Sequence, residues 1–221
     1  CTFCGLHENM QYRIRDAGEV IAELKRLHNR YGVRRFFATD LIMPQSYYKT
    51  FLPRLAEEKI GYEFYYELKG NITKAQMNLL KAAGVRLVQP GLESLSTAIL
   101  KLIRKGTNAA QNVEFLKWAK EADIEVSWNI IVGVPGENPE ENESAARRIK
   151  ALWHLPPPFI VEFELTRFSP AFTNPAEFGI SKIAPVGLYY AVFPISSSLL
   201  SDLVYRFEYE SESFGGRPPW M

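Results

Sequence analysis

The sequence predicts an α/β chain folded as a partial (β/α) barrel of the TIM type. Three observations carry that expectation. Short runs rich in Val, Ile, Phe and Tyr alternate with amphipathic helical stretches, the signature of βαβ units around a parallel sheet. No Gly-rich phosphate loop follows the first legible strand, so a doubly wound sheet fits less well than the even repeat of a barrel. The chain also opens in a loop that leads to a helix. A barrel strand should precede such a loop, so the first strand is expected to be missing.

The elements follow in order. Residues 1–15 are polar and irregular and read as a loop. Asp16 can cap a helix whose Val20, Leu24 and Leu27 share one face, and Tyr31-Gly32 ends it. Residues 33–38 form the first strand, stopped by Thr39-Asp40. A helix over 46–59, a strand over 62–67 and a helix opened by Asn71-Ile72-Thr73 and closed near Gly84 repeat the unit. A strand over 85–89 stops at Pro90-Gly91. Helical stretches over 96–103 and 109–121 flank Arg104-Lys105-Gly106. One strand covers 124–132 and closes at Gly133-Val134-Pro135-Gly136. A polar helix covers 138–152, and the Pro156-Pro157-Pro158 turn leads to a fifth strand over 159–165. Beyond Pro170 the pattern changes: 174–183 reads as loop, and 186–193 and 199–209 are apolar and aromatic without a clear period. The Gly/Pro-rich tail 211–221 reads as frayed. The expected division is a partial barrel over 1–170 and a C-terminal extension over 171–221.

Composition narrows the function. The 221 residues are 47% hydrophobic and 23% charged, with a net charge of +1. That suits a globular core and provides no basic field for nucleic acid. No apolar run approaches the ~20 residues that span a bilayer, so no membrane partner is expected. No signal peptide is visible. The two cysteines are too few for a disulfide framework, which points to a reducing, cytoplasmic setting.

Barrel chemistry gathers where strands end. Those ends carry Thr39-Asp40, Glu67-Leu68-Lys69-Gly70, Gln89-Pro90-Gly91-Leu92-Glu93-Ser94, Gly133-Val134-Pro135-Gly136-Glu137 and Thr166-Arg167-Phe168-Ser169-Pro170. Singly, Asp40 and Ser94 are as well explained as helix caps, and 133–136 as a turn. Together they put acids, an arginine and two thiols on one face. Glu67 and Glu93 also suit a glycosidase-like acid pair, which leaves the thiols unexplained.

Cys1-Thr2-Phe3-Cys4 by itself fits a redox pair, a zinc half-site or an iron–sulfur half-site. A redox pair should open a helix, and Cys4 is well separated from the first capped helix. A zinc site needs four ligands, and His7, His28 and His154 match no finger spacing. Two cysteines are also too few for an ordinary four-iron cluster.

These residues resemble the radical S-adenosylmethionine (SAM) superfamily. Cys1-Thr2-Phe3-Cys4 looks like the second half of its CxxxCxxC motif, with the aromatic residue typical before the last cysteine. Thr39-Asp40 stands at the motif after the second barrel strand. "GLES" (91–94) with "LKLIRKG" (100–106) is similar to the fourth-strand segment of the cobalamin-linked branch. "NIIVGVPGE" (129–137) is similar to the segment beside the adenine, and "RFSP" (167–170) resembles the radical SAM C-methyltransferases that mature ribosomally made peptides (RiPP maturation).

The resemblance implies a [4Fe-4S] cluster ligated by Cys1 and Cys4, with a third cysteine expected upstream. It implies SAM on the open iron, cleaved by one electron to a 5′-deoxyadenosyl radical that abstracts hydrogen from carbon. The cofactor site would comprise Phe3, Thr39, Asp40, Glu67, Glu93, Ser94, Arg104, Ile131, Val132, Gly133 and Arg167. Within it, Arg104 is assigned to the SAM carboxylate, Glu93 and Ser94 to ribose or the amino group, 131–133 to adenine, and Arg167 to SAM or substrate. Cobalamin would be held by an upstream domain. Expected partners are a precursor peptide and an electron donor. The parent protein is expected to be the enzyme, with this fragment alone inactive. Methylthiolation, ring formation or a non-catalytic barrel that binds a peptide remain alternatives.

Overall fold

A computed structural model of the chain describes residues 1–5 and 12–211. The loop expected over residues 6–11, including His7, and the fraying expected from residue 212 onward lie outside the described residues. Capping sets the helix ends. Helix α1 (Ala17–Tyr31) begins at Asp16, whose carboxylate accepts from Gly18 N at 2.7 Å and Glu19 N at 3.2 Å, and it ends at left-handed Gly32. After β1 (Arg35–Phe37), α2 (Tyr47–Glu58) and β2 (Glu63–Leu68), Thr73 and Gln76 form a capping box that opens α3 (Lys74–Ala82). β3 (Val85–Pro90) and α4 (Thr97–Leu102) follow, and a second box from Asn108 and Gln111 opens α5 (Ala109–Glu121). Next come β4 (Glu125–Val126), β5 (Asn129–Val132) and α6 (Pro139–Ala151), the last capped by Asn138 with proline at its first turn.

β1 to β4 form a parallel sheet in chain order, and β5 pairs in parallel with β6 (Phe159–Glu162). A bridge between Glu93 and Ile130 joins the two, with Ile131 N donating to Glu93 O at 2.9 Å. The wall is therefore a partial parallel barrel, as the sequence predicts. On β2, Phe64, Tyr66 and Leu68 are buried, while Glu63, Tyr65 and Glu67 on the other face are half-buried. This period of two marks a strand with one face on the helices and the other on the barrel interior.

Two predicted strands are divided. The strand expected over 124–132 changes partner at Ser127-Trp128: β4 bonds to β3, and β5 to β6. Val126, Trp128 and Ile130 all stay buried, so the alternation that suggested one strand persists across the break. The strand expected over 159–165 likewise divides into β6 and β7 (Leu165–Thr166), because β7 turns to an antiparallel partner, β9 (Arg206–Ser211). The loop expected over 174–183 contains a 3₁₀ turn (Pro175–Phe178) and the start of β8 (Ile180–Pro185), which also pairs with β9. The two unassigned apolar stretches hold α8 (Gly187–Val192), most of α9 (Ser197–Leu203) and the first four residues of β9. These helices are too short to show a period, and β8 carries a register shift between Ser181 and Ala184 that breaks its alternation.

The core has two parts. One packs α2, α3 and α5 on the sheet through Leu52, Met77, Leu80, Phe115 and Leu116. The other joins Ile99, Leu100 and Ile103 to Phe163 and Leu165 of the barrel and to Ile180, Leu200 and Phe207 of the extension. Full burial of each such side chain contributes about 1.5–3 kcal/mol. The extension thus shares a core and a sheet with the barrel across residue 170. Among the described residues, no helix is long and apolar enough to cross a membrane.

Candidate cluster and cofactor site

The two cysteines sit on a short docked segment. Thr2, 3% exposed, donates its N–H to Ile103 O at the end of α4 and accepts from Ala171 N, both at 3.1 Å. Ala171 belongs to α7 (Pro170–Thr173). Phe3 O accepts from Thr166 Oγ1 at 3.1 Å, and its ring packs on the second core. Gly5 lies so close to the β7 end that a Cβ there would stand 2.1 Å from Arg167 O, which only glycine permits. Cys4 is half-buried, Cys1 is exposed, and both are free thiols.

Lys105 is the residue that the sequence reading passed over. Its Nζ pairs with Glu93 Oε1 at 3.0 Å, with side chains only 15% and 12% exposed, and it lies 5.9 Å from the centre of the Phe3 ring. Backbone strain frames the pair: Glu93 takes φ 64° and Arg104 φ 50°. Such strain persists only where surrounding contacts over-determine it. A Cβ on Gly91 would meet Lys105 Nζ at 2.4 Å, so the ion pair is packed directly on that backbone. The turn that brings Lys105 inward sends Arg104 outward. Arg104 pairs with Glu177 and stacks over Phe178, so Lys105 rather than Arg104 stands beside the cysteine segment.

Ser94 also departs from its expected place. It is fully buried, and its hydroxyl accepts from Ser96 N at 3.0 Å, which gives it to the β3–α4 turn instead of the barrel mouth. Asn112, also fully buried, braces that turn by donating to Leu92 O at 2.9 Å and Ser94 O at 2.8 Å. A polar residue on the apolar face of α5 is the signal that could have found it.

The segment after β5 is held from within. Glu137, 5% exposed, accepts from Gly133 N at 2.8 Å, Val134 N at 3.1 Å and Asn142 Nδ2 at 2.8 Å. Burial keeps its carboxyl above the usual range even though three N–H donors pull the other way. Ile131 lies in the second core, and Val132 is half-buried at the strand end. Tyr209 of β9 leans edge-on against Phe163, with its hydroxyl 3.5 Å from Gly133 O; burial pushes that phenol up to about 12.

Thr39 and Asp40 are exposed, and the Tyr66 hydroxyl donates to Asp40 Oδ2. Burial, then Asp40, raises the Tyr66 phenol far above its usual range. Glu67 is half-buried, and burial raises its carboxyl. Arg167, assigned from sequence to SAM or substrate, is turned to the extension: Nε donates to Val204 O at 2.7 Å and Nη2 to Ser201 O.

The donor set fits an iron–sulfur cluster in kind, since both thiols are free. It falls short in number, because among the described residues no three His, Cys, Asp or Glu side chains gather to hold a metal.

Comparisons place the chain. The model of the radical SAM superfamily matches residues 1–149. The chain is 27% identical over 157 residues to the uncharacterized methyltransferase PH0819 of Pyrococcus horikoshii, covering 69% of this chain and 34% of that protein. It is 31% identical over 157 residues to the anaerobic magnesium-protoporphyrin IX monomethyl ester cyclase of Cereibacter sphaeroides, covering 66% of this chain and 25% of that protein. It therefore spans about a third or less of the length of these relatives. The fold is similar to the radical SAM methyltransferase TsrM of Kitasatospora setae (TM-score 0.64, 18% identity, 76% of this chain and 34% of that one). It is also similar to the cobalamin-dependent radical SAM enzyme OxsB (TM-score 0.66, 14% identity, 80% and 34%). A family match over more than half its length, on a partial parallel barrel that presents a docked CxxC segment, shows that the chain belongs to the radical SAM superfamily.

Proposed function

We propose that the chain is part of a radical SAM enzyme that methylates a carbon of a ribosomally made precursor peptide with the help of cobalamin. The observation that carries the reading is the convergence of the Cys1–Cys4 segment, the buried Lys105–Glu93 pair and the Glu137-held segment 133–137 on one end of the barrel. Cys1 and Cys4 would supply two of three thiolates to a [4Fe-4S] cluster. The bound cluster and SAM supply one-electron cleavage and hydrogen abstraction from carbon. Lys105 offers a cation for the SAM carboxylate, and Glu93 an acceptor for its amino or ribose groups. Val132, half-buried at the end of β5, offers an apolar contact to the adenine. Similarity in fold to TsrM and OxsB, both of which bind cobalamin, supports that cofactor. A precursor peptide and an electron donor are the proposed partners.

The test is anaerobic iron–sulfide reconstitution of the full-length protein. Iron bound at cluster stoichiometry, loss of that iron in Cys1→Ala and Cys4→Ala, and SAM cleavage support the reading. A full-length protein that binds no iron and leaves SAM intact refutes it. The similarity to a cyclase favours a second reading, ring formation. Product mass separates the two: methylation adds CH2 and requires cobalamin, whereas ring closure adds no carbon.

A further inference from the structure

The cysteine segment and the C-terminal extension grip opposite sides of one turn, with Arg167 at its centre. Residues 166–169 turn tightly at the end of β7: Ser169 N donates to Thr166 O at 3.2 Å, and Phe168 takes a left-handed φ of 68°. On one side, Thr166 Oγ1 donates to Phe3 O, Ala171 N donates to Thr2 O, and Arg167 O abuts Gly5. On the other side, Arg167 N donates to Tyr205 O at 2.8 Å, and the guanidinium donates to Val204 O and Ser201 O. The guanidinium also lies 5.5 Å from the Phe172 ring centre and 5.0 Å from that of Phe207. Ser201 and Val204 carry carbonyls at the C-terminal end of α9, where a cation is favoured and a planar fork reaches two acceptors at once.

We propose that Arg167 is a positioning residue through which the C-terminal extension braces the cysteine segment. Residues 1–5 belong to no strand or helix. Three of the hydrogen bonds that hold them go to Ile103, Thr166 and Ala171, and the last two partners flank the turn. The turn is held on its far side by the extension. Loss of the guanidinium removes two hydrogen bonds and two ring contacts there, so the turn loosens and the cysteine segment follows it. The consequence, that the extension sets how firmly the thiols are presented to a cluster, rests on the proposed function. The coupling itself is a property of the metal-free chain.

The test uses the reduced, metal-free chain with Cys1→Ser, so that Cys4 is the sole thiol. Cys4 labelling by iodoacetamide and hydrogen exchange over 165–173 and 199–211 are followed together. Arg167→Met is expected to speed exchange in both segments and to raise Cys4 labelling roughly three- to tenfold, as local opening does; Arg167→Lys, which keeps the charge without the fork, falls between. Thr166→Val removes the bond to Phe3 O and keeps the main-chain pairing with β9, so it should raise labelling and leave exchange over 199–211 unchanged. If Arg167→Met frees 199–211 while Cys4 labelling keeps the parent rate, Arg167 is an anchor of the extension only and the proposal is overturned. Should Arg167→Met lose its near-ultraviolet circular dichroism, unchanged labelling in Thr166→Val overturns it equally. Iron content of the reconstituted full-length protein is measured separately. A full-length protein without iron refutes the proposed function and leaves the thiol result standing.

Discussion

Replacing Lys105 with Met would leave Glu93 charged and without its partner. The pair stands 3.0 Å apart, with side chains 15% and 12% exposed, so little water is present to take over. Breaking a fully buried ion pair costs about 3–5 kcal/mol, and this residual exposure puts the expected cost at the lower end, about 3 kcal/mol. For a chain of this size each kcal/mol moves Tm by about 2–4 °C, so a fall of about 6–12 °C is expected. Adding Glu93→Gln removes the stranded charge and should restore most of the loss. The assay is urea and thermal unfolding of the parent, both single variants and the double variant, followed by circular dichroism. Distant, independent sites add within about 0.3–0.5 kcal/mol, so additivity inside that margin refutes the coupling. A Lys105→Met variant within about 0.5 kcal/mol of the parent refutes it too, because that is how a solvated surface pair behaves.

Other expectations follow from the same packing. Trp128 is 2% exposed and its Nε1 donates to Pro156 O at 2.9 Å. Trp128→Phe strands that carbonyl and should cost about 1–3 kcal/mol in urea unfolding, whereas a cost near zero means water reaches Pro156 O. Asn112→Ala removes the side-chain donor to Ser94 O and leaves Leu92 O with Ser94 N alone, and it should cost about 1–3 kcal/mol; an unchanged urea midpoint counts against the brace. Glu137 sets a pH dependence. Its native carboxyl lies above the ordinary 4.5, so the native state binds more protons than the unfolded state between 4.5 and the raised value. Stability therefore falls as pH rises through that window and levels off above it, and Glu137→Gln should abolish this component of the slope. A wild-type stability that rises faster than the variant's over the same window contradicts the assignment. Gly91→Ala drives a Cβ into Lys105 Nζ, so it should weaken the chain in the same direction as Lys105→Met. If Gly91→Ala costs as much in the Lys105→Met background as in the parent, the close approach to Lys105 is not its cause.

The sequence by itself determined the repeat of strands and helices from residue 16 to about residue 165, most of the caps that bound it, and the superfamily. Asp16, Thr73 and Asn138 announce helix starts because their side chains satisfy main-chain N–H groups within three residues. The CxxC segment and the strand-end motifs were legible for the same reason: their information is local. What the tertiary structure alone decided depends on partners distant in sequence. The strand over 124–132 divides because its two halves bond to different neighbours, which no local pattern records. Arg104 and Lys105 are adjacent basic residues with equal claims on a carboxylate. A left-handed backbone at Arg104 sends one to Glu177 and the other to Glu93. Arg167 stands at a strand end where chemistry is expected, yet its guanidinium is taken by Ser201 and Val204, which precede a strand that the sequence did not reveal. Local propensity fixes where elements begin and end. Which of two neighbouring side chains faces the site is settled by long-range packing, because that choice is made by the contacts that pull each side chain away.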